Sequence, residues 1–186
     1  MLLIVAFAPF LAVTQNMVLN PSAESDPSSN GWTEASGFQW TRRATGNPPS
    51  YEGTYMFFAG PVGGEVELYQ DIDVSAYATT IDNETQPFKF EDYVRSFSQS
   101  PVDQTKVIVE YRSAAGLVLS SFNSGYGSNT SAWLLVTDTR IAPATTRTIR
   151  IRLFSKRNSG TNNDGYHDAI SLEPLAPLPV ELVDFQ

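Results

Sequence analysis

"EVELYQDIDVS", residues 65–75, alternates along most of its length: Val66, Leu68, Ile72 and Val74 fall on one side, and Glu65, Glu67, Tyr69, Asp71 and Asp73 on the other. Successive side chains of a strand point to opposite faces, so this period of two predicts a half-buried strand of an antiparallel sheet. "KVIVEYRS" at 106–113 and "TIRIRLF" at 148–154 repeat the device. They should bury Val107, Val109 and Tyr111, then Ile149, Ile151 and Leu153.

Further strands are expected at 17–19, 38–42, 55–59, 88–97, 117–122, 133–137 and 166–172, roughly ten in all. The breakers between them include "TGNPPSYEG", "GPVGG", "NSGYGSNTS" and "APATT", rich in the Gly, Pro, Ser and Asn that turns require. No amphipathic helical segment is expected. The fold class that follows is all-β, a two-sheet β-sandwich.

A chain of 186 residues with 41% hydrophobic composition suits one domain with a real core. Twelve Lys and Arg against twenty Asp and Glu give a net charge of -8, which argues against nucleic acid and against an anionic membrane surface. The absence of cysteine excludes disulfides, thiolate-held zinc, iron–sulfur clusters and thiol catalysis.

"LLIVAFAPFLAV" at 2–13 is uncharged, apolar and too short to cross a bilayer as a helix. It reads as the core of a secretory signal peptide over 1–15, with cleavage between Val13 and Asn16; the other reading is a buried first strand. The sandwich module is expected over 16–175, followed by a proline-rich linker at 176–186 that leads into a larger multidomain chain.

Catalytic signatures are missing. His167 is the single histidine, no G-x-S-x-G elbow accompanies it, and no phosphate-cradling loop is present. Twenty acids leave a carboxylate pair for glycoside hydrolysis open, but no spacing recommends one, so the chain is read as not an enzyme, with catalysis the third and least expected class. "SGTNNDGYHDAISL" at 159–172 comes nearest to a calcium loop, but Gly160 and Ser171 stand where an EF-hand needs its first and twelfth ligands. Its Asn and Asp residues can still serve a turn, or join oxygen donors from elsewhere.

"NMVLNPSAES" at 16–25 and "DGYHDAISL" at 164–172 resemble the first and last strands of galactose-binding-like jelly rolls, the fold of many carbohydrate-binding modules. In that family a glutamate of the first motif and an aspartate of the last contribute to a structural calcium site. The resemblance implies metal ligation by Glu24 and Asp168; the alternative is that Asp168 caps a turn and Glu24 is solvated. Ala23 stands where an aromatic residue is usual, and Ala169 where the family has a second aspartate. "PLPVELVDFQ" at 177–186 is similar to the junction that precedes the C-terminal sorting region of proteins secreted by Bacteroidota through the type IX system. Together with the leader it implies a secreted or outer-surface location.

A glycan or polysaccharide partner is what this resemblance implies. Sugars stack apolar C–H faces on aromatic rings while hydroxyls meet polar side chains. Tyr51 in "NPPSYEG" and Tyr126 in "NSGYGSN" are flanked by turn residues and are the aromatic candidates; Arg95, Arg112 and Arg152, with Arg150, alternate with apolar residues and should face outward. The expected function is a non-catalytic carbohydrate-binding module with a structural calcium. The alternative is an adhesive or spacer module of a larger surface protein.

Overall fold

The structure is a computed structural model that describes residues 15–179. The candidate leader, save Gln15, and the apolar fragment at 180–185 lie outside the described residues.

Ten strands form: β1 (Thr33–Ser36), β2 (Thr41–Ala44), β3 (Tyr55–Phe58), β4 (Glu65–Asp73), β5 (Pro87–Ser96), β6 (Gln104–Ser113), β7 (Val118–Asn123), β8 (Leu134–Ile141), β9 (Thr146–Lys156) and β10 (Gly165–Pro174). The first sheet runs β1-β4-β9-β6-β7 and the second β2-β3-β10-β5-β8, with antiparallel neighbours throughout. This is the two-sheet sandwich expected from the alternation, of the jelly-roll type that the resemblance implied.

The alternation decides what lies between the sheets. Val66 and Leu68 of β4, Val107 and Val109 of β6, and Ile149, Ile151 and Leu153 of β9 meet Phe57, Phe88, Phe90 and Ile170 of the second sheet in one buried cluster. Each such side chain contributes about 1.5–3 kcal/mol by leaving water. Trp32 closes one end, with its ring edge-on to Phe57 at 5.2 Å.

Three elements depart from expectation. β1, "TEAS", has no apolar alternation and is a strand because it pairs with β4, where Ser36 Oγ accepts the Glu67 N–H at 3.0 Å. Gly37 follows at φ +93°, and a Cβ there would sit 2.6 Å from Val66 Cγ1, so only glycine lets the chain turn this close to the core.

The stretch at 17–19, expected as a strand, is not one. Met17 N–H bonds Leu172 O, and the Asn16 carboxamide takes over the ladder, donating to Ile170 O and accepting from Leu172 N–H. A single helical turn, Ala78–Asp82, also stands where no helix was expected. Ile81 anchors it in the core.

One polar pair is sealed in the interior. His167 Nδ1 lies 2.7 Å from Asp92 Oδ2 and His167 Nε2 lies 3.1 Å from Phe154 O, with both side chains fully buried. The Phe154 carbonyl can only accept, so Nε2 carries a proton; one further proton lies between Nδ1 and Oδ2, and the pair is neutral whichever atom holds it. Burial pushes the Asp92 carboxyl up, against the opposing pull of His167.

Candidate functional site

The five residues named as ligand candidates lie on two different faces. Tyr126, Arg112 and Arg152 lie on the outer side of the first sheet, whereas Tyr51 and Arg95 lie on the outer side of the second. Alternation predicts that a residue faces outward; it carries nothing about which sheet its strand will join.

On the first sheet, Arg152 sits between two acids on the neighbouring strands. Its Nε and Nη2 bond Glu67 at 2.7 and 2.8 Å, and Nη1 bonds Glu110 at 2.7 Å. Glu67, ahead of Glu110, raises the guanidinium further above its usual value. One step along β9, Arg150 makes a forked pair with Asp71 at 2.7 and 2.6 Å and lies 4.0 Å above the Tyr69 ring.

At the other end Lys106 covers the Phe154 ring at 3.9 Å and the Tyr126 ring at 4.4 Å, and the Tyr126 hydroxyl bonds Glu65. Arg112 is a looser neighbour, 3.7 Å from Glu110. The result is a row of charges of both signs, fixed by one another, in which Glu67 and Glu110 are only 15% and 12% exposed although they point outward. Such a row presents hydrogen-bond donors and acceptors in set directions.

On the second sheet, Tyr51 stacks on Tyr93 of β5 and meets Trp133 edge-on. Sequence reading singled out Tyr51 from its turn setting but not its two partners. They become neighbours only when the loop at 47–55 folds back over β10 and β5.

Glu24 and Asp168 hold that loop. Glu24 Oε1 accepts the N–H groups of Thr54 and Tyr55, both at 2.8 Å, and Asp168 Oδ2 accepts those of Tyr51 and Glu52 at 2.8 and 3.2 Å. Asp168 is fully buried beside a β-bulge of β10 at which Ala169 adopts φ +49° and gives its own N–H to Oδ1. Burial pushes its carboxyl up to about 7; the three backbone donors oppose this, and the nearby Glu52 charge adds to it. Glu24 itself is exposed.

A cavity of about 300 Å³ adjoins the loop, lined by Asn20, Pro21, Ser22, Glu24, Glu52 and Gly53. Among the described residues no three Asp, Glu, His or Cys side chains converge on one point. Glu24 lines this cavity and Asp168 does not, so an ion held by both would need backbone carbonyls of the loop they share as well, the mixed oxygen set that calcium accepts. A buried carboxylate short of positive charge fits that chemistry.

The turn at 160–165 is explained without an ion. Asn163 bonds Ser155 Oγ and donates to Gly64 O and Ser155 O; Asp164 pairs with Arg43 at 3.0 Å and accepts from the Tyr166 hydroxyl at 2.6 Å. Its own N–H goes to Asp103 at 2.8 Å.

No family model matches the chain, and no curated protein matches it. Solved structures do. The chain is similar to a carbohydrate-binding module, TmCBM61, solved with β-1,4-galactotriose: TM-score 0.56, 15% identity, covering 85% of this chain and 97% of that one. A family 16 carbohydrate-binding module gives TM-score 0.57 at 18% identity, covering 84% and 99%. A cyclase from Fischerella sp. gives 0.59 at 13%, covering 87% and 98%. The fold is the one these modules share. The chain spans only 21% of the bacteriophage CBA120 tailspike protein 4 enzymatically active domain that it also resembles. Among the described residues no helix is long and apolar enough to cross a membrane.

Proposed function

We propose that this chain is a non-catalytic carbohydrate-binding module of a secreted or cell-surface protein, with a structural calcium held by Glu24 and Asp168 together with backbone carbonyls. The observation that carries the glycan reading is the row Glu67–Arg152–Glu110 across three adjacent strands, half-buried and fully cross-bonded. An uncharged, polyhydroxylated ligand is bound by donors and acceptors whose directions are already set, flanked by apolar ring surface. Tyr69, opposite Arg152 on β4, and Tyr126 at the Lys106 end each carry a cation over the ring and offer the ring surface that those cations leave open. Two fold neighbours are carbohydrate-binding modules by name, which supports the same class. Both carboxylates are committed to Arg152 rather than poised across an open pocket, which favours binding over hydrolysis.

Affinity electrophoresis of the full chain in gels containing neutral and acidic polysaccharides tests this reading: retardation by at least one neutral polysaccharide is expected, and migration unchanged by every gel overturns it. Export is tested by the mass of the secreted protein, which should begin between Thr14 and Met17; an intact Met1 overturns the leader.

A further inference from the structure

The aromatic cluster on the second sheet plays no part in the charge row of the first. The Tyr51 and Tyr93 rings lie 3.6 Å apart and 14° from parallel, Trp133 stands edge-on to Tyr51 at 6.3 Å, and Tyr51 is 46% exposed. Backbone bonds hold the cluster from both sides. Trp133 Nε1 donates to Pro49 O at 2.9 Å, and the Tyr51 N–H reaches the buried carboxylate of Asp168. Rings fixed before a ligand arrives lose little freedom when it lands, so such a platform binds with a small entropic penalty.

The surroundings decide what it takes. Leu135 lies opposite Tyr93 across the β5–β8 ladder, but the next positions on β8 are Thr137 and Thr139, facing the Glu91 and Lys89 ion pair at 2.7 Å. The face turns polar within two residues of the rings. A specific protein interface has an apolar centre, whereas here charged and hydroxyl side chains begin directly beside the rings. Arg95 stands on the same outer face, and its Nη2 makes only two 3.4 Å contacts, with the carbonyls of Thr130 and Ser131. Unlike Arg152, it has no carboxylate partner among the described residues. The exposed Tyr51 ring, with the half-buried Trp133 edge-on to it and a loosely held guanidinium on the same face, suits a ring with an apolar face and hydroxyl edges.

We propose that Tyr51, Tyr93 and Trp133 form a second glycan site, on the sheet face opposite the charge row, which stacks a pyranose of a neutral oligosaccharide on Tyr51 and Trp133 while Arg95 donates to its hydroxyls. This rests on the reading of the domain as a glycan-binding module. It adds that one domain holds two sugar chains, one on each face.

Tryptophan emission tests the site directly. The protein has three tryptophans, of which Trp32 and Trp40 are each 3% exposed in the core while Trp133, just before β8, is partly exposed. The full chain is titrated with xylohexaose, cellohexaose, mannohexaose and β-1,4-galactotriose while acrylamide quenching is followed, with affinity electrophoresis run in parallel. At least one sugar should shield Trp133. The shielding should survive Arg152→Ala, vanish in Tyr51→Ala with its melting curve unchanged, and be unobservable in Trp133→Phe. Retardation in gels without any shielding of Trp133, or shielding lost in Arg152→Ala and kept in Tyr51→Ala, overturns the second site and leaves the first standing. Neither shielding nor retardation overturns both.

Discussion

The backbone N–H of Tyr51 donates to Asp168 Oδ2 at 2.8 Å, so a fully buried acid on the last core strand sets the position of a ring on the surface. Glu24 does the same for the other end of that loop through Thr54 and Tyr55. The two residues expected as metal ligands and the ring expected as a sugar contact are thus parts of one structure. Whatever neutralises the acids also steadies the ring.

Calcium should therefore stabilise the fold. At a free concentration about a hundred times its dissociation constant, an ion bound only by the folded chain contributes about 2.7 kcal/mol. Thermal melts with and without chelator should differ accordingly. Glu24→Gln keeps an acceptor for the loop but removes a charge, so it should shrink the difference, whereas His167→Ala should retain it. Superimposable wild-type melts in chelator and in calcium sink the site.

Asp168 gives the chelated protein a pH dependence of defined sign. Its carboxyl is pushed up to about 7 in the folded chain, so the native state holds the proton more tightly than the unfolded one. The corresponding stability is complete below about pH 4 and is lost as pH rises through about 7, a fall on the order of 4 kcal/mol. Urea denaturation at pH 4, 5.5, 7 and 8 in chelator should show wild type losing ground to Asp168→Asn across that window. Calcium, which favours the ionised form, should flatten the slope. A wild-type advantage that grows with pH in chelator contradicts the assignment.

Arg152→Ala should weaken retardation in polysaccharide gels, and abolish it when combined with Tyr51→Ala, while lowering stability by only about 1 kcal/mol, because its ion pairs are open to solvent on one side. Arg152→Lys should fail nearly as badly, since an ammonium cannot make the forked pair with Glu67 and still reach Glu110. Arg112→Ala, whose residue stands 3.7 Å from Glu110, should weaken binding less. Full retardation of Arg152→Ala moves the binding face elsewhere.

The interior pair makes a separate prediction. Removing either member of a buried, hydrogen-bonded ionisable pair strands the other and costs about 3–5 kcal/mol. His167→Ala and Asp92→Ala should each lower the urea midpoint by that equivalent, with the double variant no worse than the poorer single one. Additive losses would show that the two side chains act independently.

Strand, face and core were legible from residue order alone. β4, β6 and β9 alternate so regularly that Val66, Leu68, Val107, Val109, Ile149, Ile151 and Leu153 could be assigned inward, and all are buried. The turn setting of Tyr51 correctly implied exposure. β1 was not legible, because "TEAS" becomes a strand only through its partner β4.

Partnership is what tertiary structure alone decided. Arg152, Glu67 and Glu110 are each an ordinary outward-facing residue of an alternating strand; the order β4-β9-β6 and its register turn them into one row. Tyr51, Tyr93 and Trp133 lie on three separate segments, and the carboxylate of Asp168 brings the first of them over the second. A period of two is local and survives in any sheet, so the sequence carries it openly. Strand order and loop placement depend on contacts between residues far apart in the chain, and these exist only once the sandwich has closed.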